Sequence, residues 1–195
     1  MSRILNEGEF RRYAFSARLD HALGEIKHSA LYEQRKVSVF ISHKHDDLED
    51  LKGLIGFLEK AYDIEAYIDS EDSSLPKKPS VETAQRIKER IKQCDKFLFL
   101  ATAKAIESKW CNWELGYGDA MKYKNKMAFF PMKAESALEK DYVGNEYMKI
   151  YPYVIYHDGT ERYSDTKKII QKGYYVKNCR DKPSIIVPLA KWLKE

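Results

Sequence analysis

The stretch Lys96-Phe97-Leu98-Phe99-Leu100-Ala101 decides the fold. It is apolar from its second residue onward, without the polar alternation of a strand that has one wet face. Such a strand needs helices on both faces. On its N-terminal side, Ser80 is placed to cap a helix whose Ala84, Ile87, Ile91 and Cys94 form one face. On its C-terminal side a helix runs from about Trp110 to Lys122, followed by a strand at Met127-Ala128-Phe129-Phe130-Pro131. Further out, Val37-Ser38-Val39-Phe40-Ile41 is a β-branched and aromatic run. The polar segment Ser42-His43-Lys44-His45-Asp46-Asp47 then leads into a helix with Leu48, Leu51, Ile55, Leu58 and Tyr62 on one stripe. Glu65-Ala66-Tyr67-Ile68-Asp69 supplies another strand. This alternation predicts a doubly wound parallel α/β sheet, with its ligand crevice at the carboxyl ends of the strands.

The two ends of the chain are less regular. Residues 1–35 read as a helical extension to a domain spanning residues 36–195. Asn6 and Glu9 have the spacing of a capping box, and Phe10, Tyr13, Ala14 and Ala17 then share a helical face. Leu23, Ile26 and Ala30 continue at similar spacing. Of the 14 tyrosines, eight fall between Tyr142 and Tyr175, so this segment is either half-exposed sheet or a set of faces on which a base stacks. Strand-like pieces lie at Tyr151–Tyr156 and Ser184–Val187, and Pro188 suits the first turn of a closing helix with Leu189, Trp192 and Leu193.

Composition removes several classes of function. The 195 residues carry 34 Lys+Arg against 30 Asp+Glu, interleaved along the chain, so dedicated nucleic-acid binding is not indicated. No apolar run reaches the ~18–20 residues of a membrane span, and the polar N-terminal residues do not read as a secretory signal. Cys94, Cys111 and Cys179 are odd in number and far apart, which argues against a disulfide framework or a paired-cysteine zinc site. Together these features predict a soluble protein of the cell interior.

Neither GxGxxG nor GxxxxGK[ST] occurs, which disfavours a Rossmann dehydrogenase or a P-loop NTPase. The central strand ends in Ala101-Thr102, where a phosphoacceptor receiver needs an aspartate, and there is no GxSxG elbow. His43 and His45 have the spacing of a metal pair but lack clustered further ligands, so loop or capping roles are expected and no metal. The informative stretch is Ser108-Lys109-Trp110-Cys111-Asn112-Trp113-Glu114-Leu115-Gly116-Tyr117-Gly118. Trp110 and Glu114 share a helix face, and Cys111 and Leu115 occupy the adjoining, sheet-facing stripe. Glu114 lies toward the helix N-terminus, where the dipole favours an ionised carboxylate. The pair reads either as a site for a flat cationic ligand or as a solvated glutamate beside a core tryptophan.

These residues resemble the TIR domain family. Val39-Phe40-Ile41-Ser42-His43, with acidic residues and an amphipathic helix after it, is similar to the family's first box. Tyr67-Ile68-Asp69 and the polar loop from Ser70 to Pro79 resemble its second strand and BB loop. Ser108 to Leu115 matches the pattern Ser-x-Trp-Cys-x-x-Glu-Leu, and Glu146 to Pro152 is similar to standalone bacterial members. One departure stands out: Ser74-Leu75-Pro76-Lys77-Lys78-Pro79 lacks the glycine that often follows the loop's proline.

The resemblance implies a flavodoxin-like sheet and an enzyme that cleaves NAD+ at the nicotinamide–ribose bond, as in Thoeris-like anti-phage defence. It puts Glu114 in the catalytic position. Trp110, Phe40, Ser42, His43, Lys44 and Asp69 become substrate-binding positions, with NAD+ as substrate and no further cofactor. The product is ADP-ribose or a cyclic isomer. The implied partners are further copies of the chain, through the Ser70–Pro79 loop, and a separate effector that senses the nucleotide product. The alternative is a non-enzymatic TIR scaffold that signals by assembly.

Overall fold

A computed structural model describes residues 1–14, 35–69, 80–122, 125–134, 150–178 and 185–195. Its centre is a nine-stranded sheet. The strands are β1 (Ser2–Arg3), β2 (Leu5–Asn6), β3 (Val37–Ser42), β4 (Ile64–Tyr67), β5 (Lys96–Ala101), β6 (Met127–Lys133), β7 (Tyr153–His157), β8 (Gly173–Asn178) and β9 (Ile185–Pro188). The order β4-β3-β5-β6-β7 is parallel throughout, and β8 and β9 add an antiparallel edge. The predicted flavodoxin-like winding is present: β3 has β4 on one side and β5 on the other, which makes its carboxyl end the switch point. All six residues of β5 are buried, as its unbroken apolar run predicts.

Helices cover both faces. α1 (Leu48–Tyr62) and α5 (Leu189–Lys194) pack with Val39, Ile41, Leu98, Leu100 and Phe130 on one side. α2 (Val81–Gln93), α3 (Ala103–Glu107) and α4 (Lys109–Met121) share the other with Phe40, Phe97, Phe99 and Phe129. Ser80 caps α2 as expected, its Oγ accepting from the Thr83 amide at 3.1 Å, and Ile87 and Ile91 point into the core. Neighbouring residues of each strand therefore feed two separate cores.

The described start of the chain departs from the expected helix. Ser2–Arg3 pairs antiparallel with β7, and Leu5–Asn6 pairs parallel with β6. The two segments fill the gap that opens where β6 and β7 part, since those strands are in register only at Phe129 and Tyr153. Glu9 does accept from the Asn6 amide at 3.2 Å, but the turn that follows is a 3-10 turn, Arg11–Tyr13. Phe10 then enters the core against Phe57, Phe130 and Tyr174. Sheet pairing and burial of Leu5 and Phe10 override the helical spacing; Ala17, Leu23, Ile26 and Ala30 lie outside the described residues.

Two glycines on α1 make this docking possible. A Cβ on Gly53 would sit 2.6 Å from the Phe10 carbonyl carbon, and one on Gly56 only 2.2 Å from the Tyr13 oxygen. Asp50 fixes the same contact, accepting from the Gly8 amide at 2.7 Å and from Arg11 Nε at 3.2 Å.

The tyrosines of the last third are packing residues where they are described. Tyr151 stacks on Phe129, and Tyr174 lies among Phe57, Phe10 and Tyr156. The Tyr175 hydroxyl donates to the Gln171 carbonyl at 2.8 Å. Tyr142 and Tyr147 lie outside the described residues. β8 was not expected from the sequence, because its Gly-Tyr-Tyr-Val-Lys-Asn has neither strict alternation nor a continuous apolar run.

Candidate active site

The site forms where β3 ends against the second turn of α4. Ser108 caps α4, its Oγ accepting from the Cys111 amide at 3.4 Å. From that start, Cys111, Glu114 and Leu115 all turn inward and are buried. Ser42, the last residue of β3, donates its hydroxyl to Glu114 Oε2 at 2.6 Å. Trp110, half-buried on the same face of α4, also hydrogen-bonds the Glu114 carboxyl.

Glu114 is only 2% exposed. Burial pushes its carboxyl up to about 8, with the nearby Asp69 charge adding to the rise and the bonds from Ser42 and Trp110 opposing it. The expected dipole stabilisation of an ionised carboxylate is outweighed. Glu114 is past the first turn of α4, where that effect has decayed. Burial thus favours the neutral acid in the free site, and an arriving cation favours its ionised form.

The loop after β3 is fastened to this helix. His43 Nδ1 donates to the Ile41 carbonyl at 3.1 Å and lies 3.7 Å from Asp69 Oδ1. The His43 carbonyl in turn accepts from Cys111 Sγ at 3.2 Å. Burial raises the Cys111 thiol to about 11, so it stays protonated and able to donate. This cysteine bond is a positioning feature that sequence reasoning missed, having treated Cys111 only as a sheet-facing residue. Lys44 follows, half-buried and extended, ahead of a 3-10 turn at His45–Asp47.

Asp47 was also missed. It is a buried carboxyl that accepts from Thr102 Oγ1, while the same Thr102 oxygen caps α3 by accepting from the Ala105 amide. The Thr102–Asp47 bond ties the end of β5 to the turn that follows β3. Thr102 after a strand and before Ala103 was the available signal.

Of the predicted site residues, the structure brings together Glu114, Ser42, Trp110, His43 and Asp69. Phe40 is placed differently. It has no exposed surface and lies between Tyr67, at 5.5 Å, and Phe97, at 5.6 Å. Strand alternation sends its ring into the core beneath the site, where it holds the floor and cannot touch a substrate. The loop from Ser70 to Pro79 lies outside the described residues.

The TIR domain family matches residues 39–169, about two thirds of the chain and all of the site just described. The chain belongs to the TIR domain family. Within this TIR protein, β3 carries the first box and α4 carries the Trp-x-x-x-Glu pattern, so the match and the buried carboxyl coincide. A relative from Bacillus cereus (strain MSX-D12), named "Probable 3' cyclic ADP-D-ribose synthase ThsB'", is 35% identical over 126 residues. The alignment covers 63% of this chain and 63% of the relative's length.

Proposed function

We propose that this TIR protein cleaves NAD+ at the nicotinamide–ribose bond and passes the ADP-ribosyl group to water or to an acceptor within the same molecule. The reading is carried by one observation: a buried carboxyl, Glu114, held by the Ser42 hydroxyl and Trp110 at the switch point of the sheet. The named activity of the Bacillus cereus relative supports a cyclic product.

The chemistry suits so sparse a site. The glycosidic C–N bond breaks with its electron pair going to the pyridinium nitrogen, and nicotinamide leaves neutral, so the paired acid of ordinary glycosidases is not needed. The ribosyl centre becomes oxocarbenium-like, and a preorganised carboxylate stabilises it electrostatically. Burial favours the protonated form of Glu114 in the free protein; the pyridinium cation favours release of that proton to solvent, and Ser42 hydrogen-bonds the carboxylate produced. An attacking water or hydroxyl gives its proton to solvent after the new bond forms, whereas an adenine ring nitrogen attacks through its lone pair and the charge gained is relieved by loss of an exocyclic amine proton to solvent. In this reading Trp110 and Lys44 contact the substrate, Lys44 as a donor to ribose or phosphate oxygens, while His43 holds the loop after β3 through the Ile41 carbonyl.

In this reading the protein acts inside the cell, assembles with further copies through its Ser70–Pro79 loop, and makes a nucleotide signal for a separate anti-phage effector. Among the described residues no helix is long and apolar enough to cross a membrane. The test is incubation of the pure protein with NAD+ and identification of products by chromatography and mass. Nicotinamide with cyclic ADP-ribose is the expected result, and its absence from Glu114→Gln ties it to the site. Intact NAD+ under conditions where the protein assembles overturns the enzyme reading in favour of a scaffold. Linear ADP-ribose alone overturns the cyclic product.

A further inference from the structure

The opposite end of the sheet buries a second charge. Lys96 opens β5 and is 2% exposed. Its Nζ donates to the Asn125 carbonyl at 3.2 Å and lies 4.6 Å from the centre of the Trp192 ring. An ammonium has three N–H groups, and Lys96 also lines a cleft of about 270 Å³ between the amino ends of β3, β5 and β6 and the end of α5. Lys126 and Lys194, both exposed, line the same cleft.

Two carboxylate-bearing residues, Asp95 and Glu195, line the cleft as well, and each has other partners. Asp95 accepts from the Ser38 amide at 2.9 Å, the Ser38 hydroxyl at 2.8 Å and Arg35 at 3.2 Å. Lys36 is paired with Asp63, and Glu195 with Lys191. Among the described residues, Lys96, Lys126 and Lys194 have no carboxylate within ion-pair distance. Burial and the neighbouring Lys126 charge depress the Lys96 pKa, with the Glu195 and Asp95 charges opposing the fall.

We propose that this cleft is a binding site for a phosphate-bearing small molecule, gripped through its phosphate or diphosphate by Lys96 at the floor and Lys126 and Lys194 at the rim. A compact multivalent anion meets three ammonium groups at once, and lysine serves such groups as a point charge. The cleft is at the small end of ligand pockets, which run ~300–1,000 Å³. Among the described residues no aromatic side chain lines it, so it grips phosphate without reading a base. β3 and β5 run from this cleft to the Glu114 site, so the two sites are at opposite ends of the same strands.

The experiment is calorimetric titration of the full chain with pyrophosphate and with ADP, at fixed ionic strength set by sodium chloride. The expected result is saturable binding of both ligands in mutual competition, with affinities within about tenfold of each other. Lys126→Gln with Lys194→Gln, at the surface and harmless to the core, should weaken binding about tenfold or more. Lys96→Met, which keeps the stem against Trp192, should abolish it, while Glu114→Gln binds like the parent. Heats no larger than those of the chloride control overturn the proposal. Binding that survives the double variant, or that is lost in Glu114→Gln, assigns the phosphate elsewhere and overturns it as well.

Discussion

The two ends of β3 and β5 bury opposite charges and treat them differently. At the carboxyl end Glu114 has a hydroxyl at 2.6 Å and an indole bond, yet its carboxyl is pushed up to about 8 by burial and Asp69. At the amino end Lys96 has, among the described residues, a carbonyl and a ring face, and its pKa is lowered by burial and by Lys126 against the pull of Glu195 and Asp95. Each group is displaced toward its neutral form, and each is relieved by a ligand of opposite charge. The difference lies in preorganisation. Glu114 is aimed by donors that favour its charged form as a cationic transition state would use it. Lys96 is an anchor that adjusts to whatever anion arrives. The proposed catalysis suits the first end and the proposed binding the second.

The sharpest break in that comparison is Glu114→Gln. It keeps shape and hydrogen bonding, so the protein folds, but nicotinamide release should fall ~10²–10³-fold, the usual cost of one preorganised contact. Equal turnover in parent and variant would end the assignment.

The same variant tests the buried proton. Glu114 has a folded-state pKa near 8 against an ordinary value of 4.5, so between those values the folded state holds a proton that the unfolded state has lost. Stability from this group is full below about 4.5 and falls as pH rises toward 8, by at most about 1.4 kcal/mol per pH unit. Urea melts at pH 5.5 and pH 8 should therefore show Glu114→Gln gaining on the parent by a few kcal/mol at the higher pH. A constant difference would show that Glu114 is ionised when the site is free.

Both ends rest on the clamp between α1 and the start of the chain. Gly56→Val puts side-chain carbon against the Tyr13 carbonyl, where a Cβ already comes within 2.2 Å. It should destabilise the protein by ~1–3 kcal/mol in urea melts, as overpacking does. NAD+ cleavage and pyrophosphate binding should then be lost together at one denaturant midpoint. Separate midpoints would mean that the two ends do not share one folding unit.

Asp69→Asn sharpens the comparison from the other side. Removing the second-largest cause of the raised Glu114 pKa should move the rising limb of kcat/KM to lower pH by about one unit, with kcat above that limb nearly unchanged. An unmoved limb would leave burial as the whole cause. The smallest effect is expected at Lys96→Met without phosphate. Loss of an uncompensated buried charge should leave stability at pH 7 within about 1 kcal/mol of the parent, on the stable side. A large loss would show that the ammonium is structural.

The amino-acid sequence determined the winding of the parallel sheet and the address of its site. The apolar run Phe97–Ala101 of β5, the stripe of α1 and the Ser80 cap are local signals whose period survives any packing. The register Trp110–Glu114 likewise places two side chains on one helix face wherever that helix docks. Tertiary structure alone decided what depends on distant partners. Asn6 and Glu9 have the spacing of a capping box, but strand edges on β6 and β7 offered sheet pairing to Leu5–Asn6 and Ser2–Arg3. Phe40 belongs to the first box, yet its position on the pleat buries it. Cys111 reaches the His43 carbonyl across 68 positions of chain. The protonation of Glu114 follows from exclusion of water and the nearness of Asp69, 45 positions away, and a linear pattern records neither. Burial is a property of the packed chain, so the charge state of an acid can be read only once the fold has closed over it.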